Sequence, residues 1–164
     1  MNDTKEFESG MYYDYASANS RIQQLHDLGY SDKEISVMMR DKEKAKAFTE
    51  HAGGHAAEGA VTGGAIGGGL GAIVAGLMAT GSIAAIVGTG GAAVPLVAGP
   101  LAAALGGLGA GAATGGLIGA LVGAGIPKER AEKYSADLDR GGILLGVYPR
   151  TENRDDVRRV FADQ

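Results

Sequence analysis

Thr62-Gly-Gly-Ala-Ile-Gly67 and Thr114-Gly-Gly-Leu-Ile-Gly119 are near-copies of one phrase, standing toward the two ends of a run without a single charged side chain. The run extends from Gly59 to Pro127, 69 residues of which 22 are glycine. Glycine recurs at every fourth position at both ends: Gly59, Gly63, Gly67 and Gly71, then Gly107, Gly111, Gly115, Gly119 and Gly123. A spacing of four aligns them on one stripe of a helix, where a missing Cβ lets a second backbone approach closely. These glycines are the candidate helix-packing and oligomerisation residues. Gly88-Thr-Gly-Gly91 with Pro95 and Pro100 breaks any continuous helix near the middle. The pattern predicts two apolar helices, over 58–87 and 101–125, folded back as a hairpin with the two phrases packed at its base.

The flanks read differently. Gly10-Met-Tyr-Tyr-Asp-Tyr15 alternates Met11, Tyr13 and Tyr15, a strand pattern. Ser17, or the Ala16-Ser17 step, can cap a helix carrying Ala18, Ile22, Leu25 and Leu28 and stopped by Gly29. Ile35, Val37 and Met39 alternate in a second strand, and residues 41–58 read as a charged, alanine-rich helix. After the run, Pro127 opens a helix with Ala131, Tyr134 and Leu138 inward, and Gly141-Gly142 ends it. Ile143-Leu-Leu-Gly-Val-Tyr148 is a third strand, and a last helix over 152–162 places Val157, Val160 and Phe161 together. The expected fold is α+β: a small antiparallel sheet related to ferredoxin-like folds, helices on one face, interrupted by the apolar hairpin. The domain division is 1–57 and 128–164 for two halves of one head, and 58–127 for the hairpin. The halves must meet, because neither has enough strands to be stable alone.

Charge and composition exclude several functions. Residues 1–58 carry 7 Lys/Arg against 11 Asp/Glu, and residues 128–164 carry 8 of each, so no basic patch for nucleic acid is evident. Without cysteine there is neither a disulfide framework nor a thiolate zinc site. The acidic Met1-Asn-Asp-Thr-Lys-Glu-Phe-Glu8 lacks the basic and apolar regions of a signal peptide, so the head is expected on the cytoplasmic side.

Two physical outcomes suit the hairpin. At 1.5 Å per residue, helices of roughly 30 and 25 residues reach about 45 and 37 Å, enough for a bilayer. From Leu101 to Gly123, however, only seven residues are large aliphatics and eight are glycine, which makes a single helix a marginal inserter. The alternative is a soluble assembly in which hairpins of several copies form a dry core, since helices this apolar do not stand alone in water. The expected partners are other copies of the chain and a lipid membrane, with no nucleic acid and no nucleotide.

The strand ending Tyr13-Asp-Tyr15, Asp27-Leu-Gly-Tyr30, Glu34-Ile-Ser-Val-Met-Met-Arg-Asp41, Gly125-Ile-Pro-Lys-Glu-Arg-Ala-Glu-Lys-Tyr134 and Gly141-Gly-Ile-Leu-Leu-Gly-Val147 frame the glycine-rich insert. Together they resemble the bacterial general stress protein 17M-like family with its heat-induced stress domain, over nearly the whole chain. The resemblance implies a stress-responsive bacterial protein with an inserted glycine-zipper hairpin, and it supplies no catalytic residues. One departure is Glu8-Ser9-Gly10, where strands of that family usually begin with valines.

Candidate chemistry is sparse. His51 and His55 with Glu58 have a spacing that could present two imidazoles and a carboxylate to zinc or iron, but Gly53-Gly54 makes a poor helix and no fourth ligand is indicated. The blander reading is a solvated approach to the hairpin. The glycine clusters lack the preceding strand and the Lys-Ser/Thr of a nucleotide loop. Asp14, Ser17, Ser20 and His26 can be arranged on paper as a hydrolytic set, without a nucleophile elbow or oxyanion hole. Tyr12, Tyr13 and Tyr15 lack interleaved basic residues for base stacking. Neither an enzyme nor a cofactor is expected.

Overall fold

Asp14 sets the first turn of the chain. In the computed structural model, which describes residues 6–41, 43, 44, 47, 73, 96–107 and 110–162, its backbone is extended and its side chain accepts from the Ser17 amide at 2.8 Å. That N-cap satisfies one of the free amides of a new helix. The preceding strand β1, Glu8–Tyr12, therefore ends one residue before Tyr13, and α1 runs over Tyr15–Asp27. The expected alternation of Met11, Tyr13 and Tyr15 is corrected accordingly: Met11 and Tyr12 are buried, Tyr13 is 51% exposed, and Tyr15 already belongs to the helix.

Ala18, Ile22 and Leu25 form the buried stripe of α1. The helix stops where Gly29, at φ 83°, lets the Tyr30 amide reach back to the Leu25 carbonyl at 3.0 Å. Strand β2, Ser36–Met39, follows. A third strand, β3, covers Leu96–Ala98 and pairs antiparallel with β2, with Met39 opposite Leu96. It lies between Pro95 and Pro100, where the sequence predicted only the break between two helices. Proline is tolerated at the ends of an edge strand, which is where Pro95 and Pro100 stand.

Beyond β3 come α2 (Pro100–Gly107) and α3 (Ala110–Gly123). The second arm of the predicted hairpin falls here as two helices packed on the sheet. Of the first arm only Ile73 is described, buried in the core, and the remainder lies outside the described residues. Helix α4 spans Lys128–Asp139 with Pro127 as N-cap, and Gly141, at φ 86°, ends it as Gly29 ends α1. Strand β4 (Ile143–Val147), a single 3-10 turn (Thr151–Asn153) and α5 (Arg154–Ala162) complete the described chain.

The sheet order is β1-β4-β2-β3, and every neighbouring pair is antiparallel. Strands β1 and β2 thus run parallel to each other with β4 between them. Helices cover both faces, which corrects the expectation of one covered face. A first core joins Tyr12, Val37, Met39, Ile143, Leu145 and Val147 to α1 and α5. A second joins Phe7, Met11, Met38, Val97 and Leu144 to α2, α3 and α4. The difference has a physical source: Leu101, Leu105, Leu117 and Leu121 belong to a charge-free run that reads as leaving the head, yet they are the side chains that cover its second face.

Candidate functional site

The sequence-derived sites divide between regions. Gly59, Gly63, Gly67 and Gly71, and the metal candidates His51, His55 and Glu58, lie outside the described residues. Gly107 ends α2, and Gly111, Gly115, Gly119 and Gly123 lie in α3. The stripe on α3 is not one straight row. Gly116 has φ 59° and ψ −158°, a conformation essentially confined to glycine, and kinks the helix between Gly115 and Gly119. After the kink, Leu117, Ala120, Leu121 and Ala124 turn inward to the second core. Gly119 and Gly123 consequently face outward and are exposed, beside Val122, which is 42% exposed. This outer face has no charged side chain. No helix among those residues is long and apolar enough to cross a membrane.

The catalytic alternatives are not assembled. Asp14 and Ser17 cap the start of α1 while His26 sits in its last turn, roughly 18 Å along the axis at 1.5 Å per residue. His26 instead binds Asp32 through Nε2 at 2.7 Å, and its Nδ1 is buried without a hydrogen-bond partner. Tyr12 lies in the first core, Tyr13 is exposed, and Tyr15 packs beside the core, so the three tyrosines share no stacking platform. Among the described residues, no group of three or more His, Asp or Glu side chains is placed to hold a metal ion.

A polar cluster that sequence reasoning missed joins the α1–β2 corner to the segment after β4. The Arg150 guanidinium lies 4.6 Å from the Tyr30 ring centroid and donates to Glu34 Oε1 at 2.7 Å and to the Gly29 carbonyl at 3.2 Å. The Tyr30 hydroxyl donates to Asn153 Oδ1 at 2.7 Å and accepts from the Arg150 amide at 2.9 Å. Glu34 Oε2 also accepts from the Ser31 amide and hydroxyl at 2.9 and 2.8 Å. The Ser31 amide, then Arg150, hold the Glu34 carboxyl below its ordinary range, and Glu34 in turn raises Arg150. Through these bonds the cluster latches the α1–β2 corner to the segment after β4. No local signal marks it, since Glu34 and Arg150 stand 116 residues apart.

A second set of ties follows the same plan. Arg158 donates through Nε to the buried Glu8 at 2.8 Å, and Lys44 donates to the Gly141 carbonyl at 2.7 Å. Arg40 binds Asp139, and the buried hydroxyls of Ser9 and Tyr134 meet at 3.3 Å. Ser36 Oγ accepts from the Leu101 amide at 3.0 Å, capping α2 from the sheet. Each tie joins a residue before the glycine-rich run to one inside or after it. No family model matches this chain, and neither a curated protein nor a solved structure matches it.

Proposed function

We propose that this chain is a non-enzymatic bacterial stress-response protein that self-associates through its glycine-rich run and attaches to, or inserts into, the cytoplasmic membrane. Its α+β head, which we relate to the ferredoxin-like folds, stays on the cytoplasmic side. The observation that carries the reading is the charge-free stretch from Gly59 to Pro95 with its Gly59, Gly63, Gly67 and Gly71 spacing. Apart from Ile73, which the head's first core takes, these thirty-seven residues bury their apolar surface in lipid or against copies of themselves, because water is a poor solvent for them. The residues from Leu96 onward contribute less to that role than the sequence alone implies, since much of their apolar surface is spent on the second core.

Native fractionation tests the reading. Cells lysed without detergent should yield the protein in the membrane fraction, resistant to carbonate, and detergent extracts should contain oligomers. Recovery as a soluble monomer would overturn it. The second reading is a soluble particle with the glycine runs inside, and the outward Gly119, Val122 and Gly123 favour it as a place where heads touch. A monodisperse, detergent-free assembly is its signature. The metal-responsive reading of His51, His55 and Glu58 rests on sequence spacing alone.

A further inference from the structure

The strand order has a property independent of the glycine run. Strands β1 and β2 come from residues before the run, and β3 and β4 from residues inside or after it. In the order β1-β4-β2-β3, every hydrogen-bonded neighbour therefore comes from the other half of the chain. The first core is shared in the same way, with α1 from one half and α5 from the other. The ties at Tyr30–Asn153, Glu34–Arg150, Glu8–Arg158, Arg40–Asp139 and Ser9–Tyr134 also cross between halves.

Met39 and Leu96 are directly opposed in the register, although 56 residues separate them. Adjacent antiparallel strands need as few as two connecting residues. The two ends of the long connection are thus neighbours in the sheet. Its covalent contribution to holding the halves together is an effective concentration in the millimolar range for flexible links, falling with length. The non-covalent contribution is three strand ladders, two shared cores and the side-chain ties, of which Ser9–Tyr134 is buried.

We infer that the head is held by the complementarity of its halves and not by the chain that joins them, so that the connection works as a cuttable tether. Scission between Ala47 and Leu96 leaves a folded two-chain head, and scission at both ends detaches that head from whatever the glycine run is buried in. Ile73, which lies in the connection and is buried in the first core, refines the expectation. A head cut once keeps this side chain, and a head cut at both ends loses it.

The test uses the full chain with one protease site inserted after Ala47 and, in a second version, another before Leu96. After one cut the two fragments, and after two cuts the two head fragments, should elute together at micromolar concentration with the circular dichroism of the head retained. The urea midpoints should fall in the order uncut, cut once, cut twice. Separate elution of the fragments, or loss of the folded spectrum after the single cut, overturns the inference. Because each sample is folded before the protease is added, failure to fold is not confused with failure to hold. Flotation with anionic phospholipid vesicles is read on the same samples. Failure of the uncut chain to float counts against the membrane reading and leaves co-elution to decide the tether.

Discussion

The helices on the first face of the sheet and α3 on the second are of opposite character. On the first face, α1 and α5 are amphipathic: they bury Ile22, Leu25, Val157 and Phe161 and turn charged groups such as Asp27, Asp155 and Arg159 to water. On the second face, α3 buries Leu117, Ala120 and Leu121 and turns Gly119, Val122 and Gly123 outward. Both faces supply dry cores, so the difference lies only in what the helices show to their surroundings. A charged outer face commits a helix to solvent. An outer face of glycine and valine leaves it able to pack again, because the closeness of helix packing is set by side-chain size.

The largest expected effect tests whether the second face is integral. Leu121 is fully buried, and Leu121→Ala should lower stability by about 2–5 kcal/mol, against about 0.5–1.5 kcal/mol for Ile22→Val on the first face. Urea unfolding should remain one transition in both variants, because β1, β2 and β4 contribute to both cores. A separate early transition in the Leu121 variant would make the second layer an annex of the first.

The latch comes next. Tyr30→Phe removes the hydroxyl that joins Asn153 to the Arg150 amide, and should cost about 0.5–1.5 kcal/mol, the usual net value of a hydrogen bond, because both partners are only half-buried. An unchanged urea midpoint would show that water replaces the hydroxyl without loss. A smaller effect of opposite sign is expected on the outer face of α3. Gly119→Ala should stabilise a lone head by about 0.5–1 kcal/mol through helix propensity. Gly119→Leu should be accepted by the exposed site yet reduce oligomer size in cross-linking if the stripe packs against copies. Unchanged oligomers in Gly67→Leu, Gly115→Leu and Gly119→Leu alike would remove the glycine stripe from the mechanism.

The smallest effect is the pH response of the latch. Glu34 titrates below its ordinary range when folded, so its contribution is fully present above the unfolded value and is lost as pH falls through the lower folded value. Stability of the native chain should therefore decline below about pH 4, and less so in Glu34→Gln, when unfolding is followed against pH. The group is 42% exposed, so solvent screening keeps the difference modest.

Local signals carried much of the architecture. Pro127, the Ala131/Tyr134/Leu138 stripe and Gly141-Gly142 marked α4 within a residue or two, and Ile143–Val147 read directly as a strand. The meeting of the two halves was legible from the shortage of strands in each. Strand β3 was not, because three residues between prolines are too short for a period to register. The covering of the second face was misread because α3 has no polar side to distinguish a core helix from one leaving the domain. The Tyr30–Arg150–Glu34 latch was illegible for a different reason: hydrogen bonds between distant residues have no spacing rule in the sequence.

The alternating strand order also has a consequence for the chain while it is being made. Among the described residues β1 pairs with β4 alone and β2 with β4 and β3, so none of these ladders can close until Leu96 has left the ribosome. The pairing of β1 waits for residues 143–147. At about 5–20 residues per second, that delay is on the order of 10 s. Throughout it, the nascent chain displays the charge-free run from Gly59 onward with no finished head behind it. The stretch from Gly59 to Pro95 is therefore made before either of the strands that complete its own head.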